Sequence, residues 1–384
     1  MKRLMGYVGL PAALALLTAG AAHGQEPLKI GMHAMLTGPL AEVGKDAQFG
    51  AQVAVALLNE SGGVRGRKVE LVLYDDQAKP AEAITAVRRL IARDRVVAIV
   101  SGSISGTTKA VAPVAQEAKV PYIAAYAVHP EIAPAGKYVF ANSLYGPVQG
   151  RAGARIVAVQ LKAKRIAVLV VDNDFGRTLA KAFRPEAEAL GATIVAEEVY
   201  PFGEKDFRAI LTRIKGTNPA AIYTTGYPGD ATQTLKQARE LGIATQIVGT
   251  EALDHPEVLF PLAGDLAEGL IVTTALDRDD ARPIVQQFLQ RYQAAAGRPA
   301  DMVGASTFDG VRVLAHAIAA AGTDPDAIAA ALTGLTNFDG AVTGPLVRYT
   351  PGRQVIKPVY AQVVRAKAFR RYGVVSDPEV ITPR

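Results

Sequence analysis

The sequence predicts an α/β protein of two lobes, each a mainly parallel sheet with helices on both faces, with a cleft between the lobes. Three observations predict it. Apolar strand-like runs alternate with helix-like runs, as parallel sheets covered on both sides require. The pattern restarts near Arg165 with a second unit of similar size. The chain has 384 residues, 49% of them apolar, which suits about two domains, each with its own core.

Leu28–Ala34 reads as the first strand, and Leu36-Thr37-Gly38-Pro39-Leu40 as a turn. Val43–Asn59 has apolar residues at helical spacing and stops at Gly62-Gly63. Val69–Tyr74 alternates as a strand does and ends in Asp75-Asp76; Pro80 then opens a helix that runs to Arg93. Val96–Val100 is an apolar strand, followed by a loop of Ser and Gly and a helix expected over Thr107–Ala118, with Thr107 or Thr108 as its cap. Pro121–Ala125 is a further strand.

In the second unit, strands are expected at Arg165–Val171, Thr193–Tyr200, Ala220–Thr224, Gln246–Gly249 and Gly269–Thr273. Helices are expected at Gly176–Leu190, Asp206–Lys215 and Asp230–Leu241. Residues 281–333 read as three more helices, which cross back to cover the first lobe, and Val355–Arg365 reads as a late strand pair.

At the N-terminus, Lys2 and Arg3 precede an apolar stretch, Leu10–Leu17, and the small residues of Ala22-His23-Gly24. This is the pattern of a secretory signal peptide cut before Gln25, leaving a soluble exported protein. No Cys near that site offers a lipid anchor. Removing this leader leaves 40 basic residues against 36 acidic ones, spread without a stripe, so no nucleic-acid partner is expected. The chain has no Cys, which excludes disulfides, thiolate metal sites and Cys nucleophiles. Asp75-Asp76, and likewise Asp172 and Asp174, lack a third ligand and read as strand-end caps rather than metal sites. No Ser–His–Asp spacing, GxxxxGK[ST] loop or strand-placed GxGxxG is present, so no catalytic residue, metal or cofactor is expected.

Ligands of open α/β sheets bind outside the carboxyl ends of the strands. In the first lobe that end is the loop Ser101-Gly102-Ser103-Ile104-Ser105-Gly106-Thr107-Thr108. Its hydroxyls either cap the following helix or, with the helix's unpaired first N–H groups, hold an anion. The second lobe offers Asp172-Asn173-Asp174-Phe175, Thr225-Gly226-Tyr227-Pro228 and Thr250-Glu251-Ala252-Leu253. Glu251 reads as a solvated loop acid or as the partner of an ammonium, and Phe175 and Tyr227 as lobe core or as a cleft wall. A carboxylate held by Ser105 and its neighbours opposite Glu251 amounts to a zwitterion site.

Lys29-Ile30-Gly31 through Leu36-Thr37-Gly38-Pro39, Gly50-Ala51, Leu58-Asn59 and Gly62-Gly63-Val64-Arg65-Gly66 resemble the leucine/isoleucine/valine-binding proteins. These are the periplasmic receptors of branched-chain amino-acid ABC transporters. Tyr74-Asp75-Asp76, Gly203-Glu204-Lys205-Asp206-Phe207, Gln237-Ala238-Arg239 before Gly242, and Ala267-Glu268-Gly269 extend the resemblance from about Lys29 to about Tyr360. The resemblance implies the type I periplasmic binding fold, with three crossovers and hinge closure on the ligand. The expected lobes are 26–142 plus 276–343 and 143–275 plus 344–384, after a signal peptide at 1–24.

It places the carboxylate-binding Ser on Ser105, with Ser103 and Tyr126 contributing backbone groups. The cleft Tyr falls on Tyr227, a second cleft aromatic on Phe175, and the ammonium-binding acid on Glu251. A Thr that helps hold the carboxylate falls on Val128, a small residue two places earlier on Tyr126, and a first-lobe aromatic on Val43. The expected protein is a periplasmic, monomeric, non-enzymatic receptor that passes an amino acid to the permease subunits of an ABC transporter. The alternatives are a receptor for an aromatic or other organic acid, an amide or urea, or a sensing subunit for a membrane kinase.

Overall fold

The computed structural model describes residues 25–384, and every count below is of those residues; the signal peptide expected at 1–24 lies outside them. The first sheet contains β1 (Leu28–Ala34), β2 (Val69–Asp75), β3 (Ala98–Gly102), β4 (Tyr122–Ala124) and β5 (Val139–Ala141). All five are parallel, in the order β2-β1-β3-β4-β5. β3 is buried at every position and opens with the apolar run Ala98-Ile99-Val100, whereas β2 at the edge shows Glu70 to solvent. Between these strands lie α1 (Ala41–Glu60), α2 (Pro80–Ala92) and α3 (Ser105–Glu117).

After β5 the chain passes to a second sheet. There α4 (Gly146–Arg155), β6 (Arg165–Val171), α5 (Asp174–Ala189), β7 (Thr193–Tyr200), α6 (Arg208–Gly216) and β8 (Ala221–Thr224) follow in turn. Next come α7 (Pro228–Glu240), β9 (Gln246–Gly249), α8 (Pro256–Ala263) and β10 (Ile271–Thr274). The chain then returns with α9 (Pro283–Ala296), α10 (Met302–Ala321) and α11 (Pro325–Thr333). α9 and α10 pack on α1, and α10 also reaches β3, so these late helices do cover the first sheet. At Gly50 in α1 an added Cβ would meet the Gly304 carbonyl oxygen of α10 at 1.9 Å, so the two helices touch backbone to backbone. β11 (Thr336–Phe338), β12 (Leu346–Tyr349) and β13 (Val355–Ile356) make a small separate sheet. The third passage brings β14 (Val359–Arg365) and β15 (Ala368–Val375) antiparallel onto the second sheet, whose order is β15-β14-β10-β9-β8-β6-β7; α12 (Pro378–Ile381) ends the fold.

Several elements differ from the sequence expectation. α3 begins at Ser105, not Thr107, and its N-cap, Ile104, supplies no side-chain hydrogen bond. The hydroxyls expected to cap it turn elsewhere. Thr108 donates to the Ser103 carbonyl at 3.2 Å, and Thr107 accepts the Ser103 hydroxyl at 2.9 Å. The late strand pair is broken at Lys357-Pro358: Val355–Ile356 pairs with β12, and Val359–Arg365 with β10 and β15. Proline has no N–H to continue a ladder. β5 and β11, which were not expected, are three residues each, too short for any periodicity to register.

A buried network ties the first and third passages together. Lys357 Nζ donates to the Asn142 carbonyl and to Thr343 Oγ1, both at 2.8 Å. The Asp309 carboxylate on α10 accepts the Val342 and Thr343 N–H groups at 2.7 and 2.9 Å. Burial pushes Lys357 down to about 8, against the attraction of Asp309 and Glu251.

Candidate functional site

The carboxyl ends of the two sheets face each other across a cavity. It is small, about 50 Å³, and is lined mostly by apolar side chains. Ile104, Ser105, Tyr126, Ala127 and Val43 come from the first lobe, with Met302 and Val303 from the start of α10. Phe175, Tyr227, Glu251, Ala252, Asp254 and His255 come from the second. A space of this size takes a small molecule and no peptide or nucleotide.

Five of the six residues picked out in the sequence meet there. Ser105 is the first residue of α3, beside the unpaired N–H groups of that helix. Its Oγ accepts the Val128 N–H at 3.1 Å, which leaves the hydroxyl hydrogen for another acceptor. Val128 thus serves the site through its backbone. Tyr126 is buried with its phenol unpaired, and burial pushes its pKa well above the usual value, so it is a neutral donor. Ser103 stands apart: its N–H donates to Ser101 Oγ at 3.3 Å, its carbonyl and hydroxyl are engaged by the two threonines, and it lies behind the cavity wall.

On the other side, Asn173 caps α5 by accepting the Gly176 N–H at 2.9 Å and so fixes Phe175 in the first turn. Phe175 and Tyr227 stack in a tilted pair 5.6 Å apart, and Phe202 meets the Tyr227 ring edge-on at 5.2 Å. Asn173 Nδ2 also donates to the Tyr227 hydroxyl at 3.3 Å. Glu251 follows β9 in a single helical turn, is 3% exposed, and has Oε2 unpaired. Burial pushes its carboxyl up to about 8; Gln149 beside it and Lys357 act against that rise, and Asp254 adds to it. The cavity therefore holds hydroxyls and helix N–H groups at one end and an orphaned acid at the other. Buried polar groups are normally paired, so these call for a ligand.

Sequence reasoning missed Asp254, His255, Met302, Val303 and Gln149. The first two sit within four residues of Glu251, and their strand-end position was the available signal. The others lie on helices and carry no local mark. Asp75 and Asp76 do tie up the strand end: Asp75 accepts the Leu36 and Gln77 N–H groups at 2.9 Å, and Asp76 pairs with buried His33 at 2.7 Å. Among the described residues, the grouping able to hold a metal is Asp46, His255 and Asp301, of which His255 also lines the cavity. Burial pushes Asp46 up to about 6 and raises Asp301, and it pushes His255 down to about 3.

Across the cleft, Lys109 on α3 pairs with Asp174 on α5 at 2.7 Å, and His255 approaches Asp46 at 3.0 Å. The lobes are closed on one another. Among the described residues no helix is long and apolar enough to cross a membrane.

Residues 27–368 match the model of a family described as periplasmic binding protein. The leucine-, isoleucine-, valine-, threonine- and alanine-binding protein of Pseudomonas aeruginosa is 29% identical over 311 residues, 80% of this chain and 82% of that one. The solved structure of the branched-chain amino acid transporter substrate binding protein LivJ from Streptococcus pneumoniae, in complex with isoleucine, superposes with a TM-score of 0.84. It is 28% identical and covers 91% of this chain and 99% of that one. The solute binding protein of an ABC transporter from R. palustris, in complex with 4-hydroxybenzoate, superposes with a TM-score of 0.82. It is 25% identical and covers 91% of this chain and 97% of that one. These relatives are solute-binding proteins, not enzymes.

Proposed function

The chain belongs to the periplasmic binding protein family, and from that premise we propose that it captures an amino acid, branched-chain or related, in the cavity between its lobes and delivers it to an ABC permease. The observation that carries this reading is the pairing of Ser105, at the bare N-terminus of α3, with the orphaned Glu251 carboxyl across the cavity. The α-carboxylate sits against the Ser105 hydroxyl and the first N–H groups of α3, with the Tyr126 phenol as a further donor. The ammonium sits at Glu251, which ionises on receiving it, and the side chain lies among Phe175, Tyr227, Met302 and Val303. Charge-assisted bonds in a site closed to water are the strong ones. Ser103 supports the loop rather than touching the ligand.

The moving bodies are residues 26–142 plus 276–343 and residues 143–275 plus 344–384, hinged at the three passages. The protein acts as a monomer in the periplasm.

A thermal-shift screen tests this. The chain is unfolded and refolded to strip carried ligand, then screened against amino acids, aromatic acids, amides and urea. A ligand that binds only the folded state raises the midpoint. Aliphatic amino acids are expected to raise it; a response to acids lacking an amine, and none to amino acids, rejects the reading.

One observation favours a second reading, a receptor for an aromatic acid. Glu251 is pushed up to about 8 and can stay neutral, as a hydrogen-bond partner for a ring hydroxyl. Tyr126 adds a phenol to the wall, and the R. palustris relative binds 4-hydroxybenzoate.

A further inference from the structure

Three buried side chains from distant parts of the chain converge: Asp46, Asp301 and His255, which also lines the cavity. Asp46 lies on α1 and Asp301 at the N-cap of α10, both in the body built on the first sheet. His255 lies just before α8, in the body built on the second. Asp46 and His255 are 2% exposed and Asp301 is 1% exposed. One ligand atom from each lies within 4.8 Å of the others.

Each carboxylate has the same division of labour. Asp46 Oδ1 accepts the Tyr292 hydroxyl at 2.6 Å and pairs with Arg298 at 2.6 Å, while Oδ2 has no hydrogen-bond partner. Asp301 Oδ1 accepts the Gly304 N–H at 2.7 Å, while Oδ2 has no partner. Neither ring nitrogen of His255 makes a hydrogen bond. Its Nε2 lies 3.0 Å from Asp46 Oδ2 and 3.8 Å from Asp301 Oδ2. His255 Nε2 thus lies close to both free carboxylate oxygens without a hydrogen bond to either. Separations of this size are the edges of a coordination polyhedron with bonds of about 2.0–2.2 Å.

The surrounding charges leave room for a cation. Arg278 is engaged by Asp254, and Arg298 is shared between Glu42 and Asp46. Among the described residues Asp301 has no Arg or Lys in ion-pair contact. One oxygen of each acid is fixed by an outer group while the other stays free, as outer-shell contacts do in metal sites.

We propose that Asp46, His255 and Asp301 bind one divalent transition-metal ion, which links the two lobes. One imidazole and two carboxylates suit zinc or manganese, with a coordination position left for water. Because the donors come from both lobes, metal binding and cleft closure favour each other, and by linkage each strengthens the other equally.

The test uses the mature chain without an affinity tag, freed of metal by chelation and free of amino acid, so that it is independent of the proposed ligand. Zinc chloride and manganese chloride are titrated by calorimetry. One ion per chain is expected, with affinity falling at least about tenfold in Asp46→Asn, His255→Ala and Asp301→Asn. Tyr292→Phe, which releases Asp46 Oδ1, is expected to weaken binding by a smaller factor. Absence of binding for both metals, or binding unchanged by His255→Ala, overturns the proposal. Should a variant fail to fold in the presence of chelator, anomalous scattering from zinc-soaked wild-type crystals decides. A peak between Asp46, His255 and Asp301 supports the site; a peak elsewhere, or none, rejects it.

Discussion

Ser105 Oγ accepts the backbone N–H of Val128 at 3.1 Å, which fastens the start of α3 to the loop after β4 and leaves the hydroxyl of this cavity-lining serine free to donate. Ser105→Ala removes a ligand donor and also leaves a buried N–H unpaired. Ligand affinity is expected to fall by roughly 1–3 kcal/mol, and the unliganded protein to lose a similar amount. Calorimetry and denaturant unfolding measure the two separately. Unchanged affinity takes Ser105 out of the site.

Glu251→Gln separates ligand classes. It is expected to weaken amino acids strongly and to spare acids without an amine. Equal loss for both classes removes the ammonium assignment.

The pH dependence of Glu251 follows from its position. Its carboxyl titrates at 4.5 when unperturbed and at about 8 in the folded protein. The folded state therefore holds this proton more tightly. Its contribution to stability is complete below 4.5 and is lost as pH rises through about 8. The stability difference between wild type and Glu251→Gln, measured by unfolding at a series of pH values without ligand, should decline across that window. Amino-acid affinity should run the other way, rising by at most about tenfold per pH unit until Glu251 ionises freely. A flat profile in wild type contradicts both statements.

Lys357→Met cuts the link between the first and third passages, because Lys357 donates to both the Asn142 carbonyl and Thr343. The expected loss is roughly 1–3 kcal/mol of stability from partners left unpaired in the interior. Ligand association and dissociation rates should change with it, as the hinge loosens. Rapid-mixing fluorescence checks the rates; rates equal to wild type place the hinge elsewhere.

Gly50→Ala places a methyl group where the Gly304 carbonyl of α10 already sits. Overpacking of this kind costs about 1–3 kcal/mol, and more where backbone must move. Thermal unfolding is expected to show the loss with ligand selectivity unchanged. A stable Gly50→Ala variant shows that α1 and α10 can separate freely.

The alternation of strand and helix was readable because central parallel strands are buried on both faces and carry long apolar runs, as Ala98-Ile99-Val100 in β3 and Ile166–Val171 in β6 do. β5 and β11 were hidden, because three residues carry no period. The α3 start was misplaced because Thr107 and Thr108 resemble caps, yet their hydroxyls bond to Ser103 within the loop. Ser105, Tyr126, Phe175, Tyr227 and Glu251 were legible as strand-end residues. Met302 and Val303 were not, since α10 reaches the cavity from more than forty residues beyond the last strand end considered. The grouping of Asp46, His255 and Asp301 was invisible for the same reason, being made by closure of one lobe on the other.

The return of the chain to its first sheet sets the order in which the molecule can assemble. α10 belongs to the same apolar core as β1 and β3, although it lies some two hundred residues further along. A growing or translocating polypeptide that ends before Met302 has one face of its first sheet covered only in part, by α1. The second sheet, missing β14 and β15, has most of its strands contiguous and can collapse sooner. The first sheet, although it emerges first, therefore waits for the C-terminal third of the chain, and needs shielding from self-association until then.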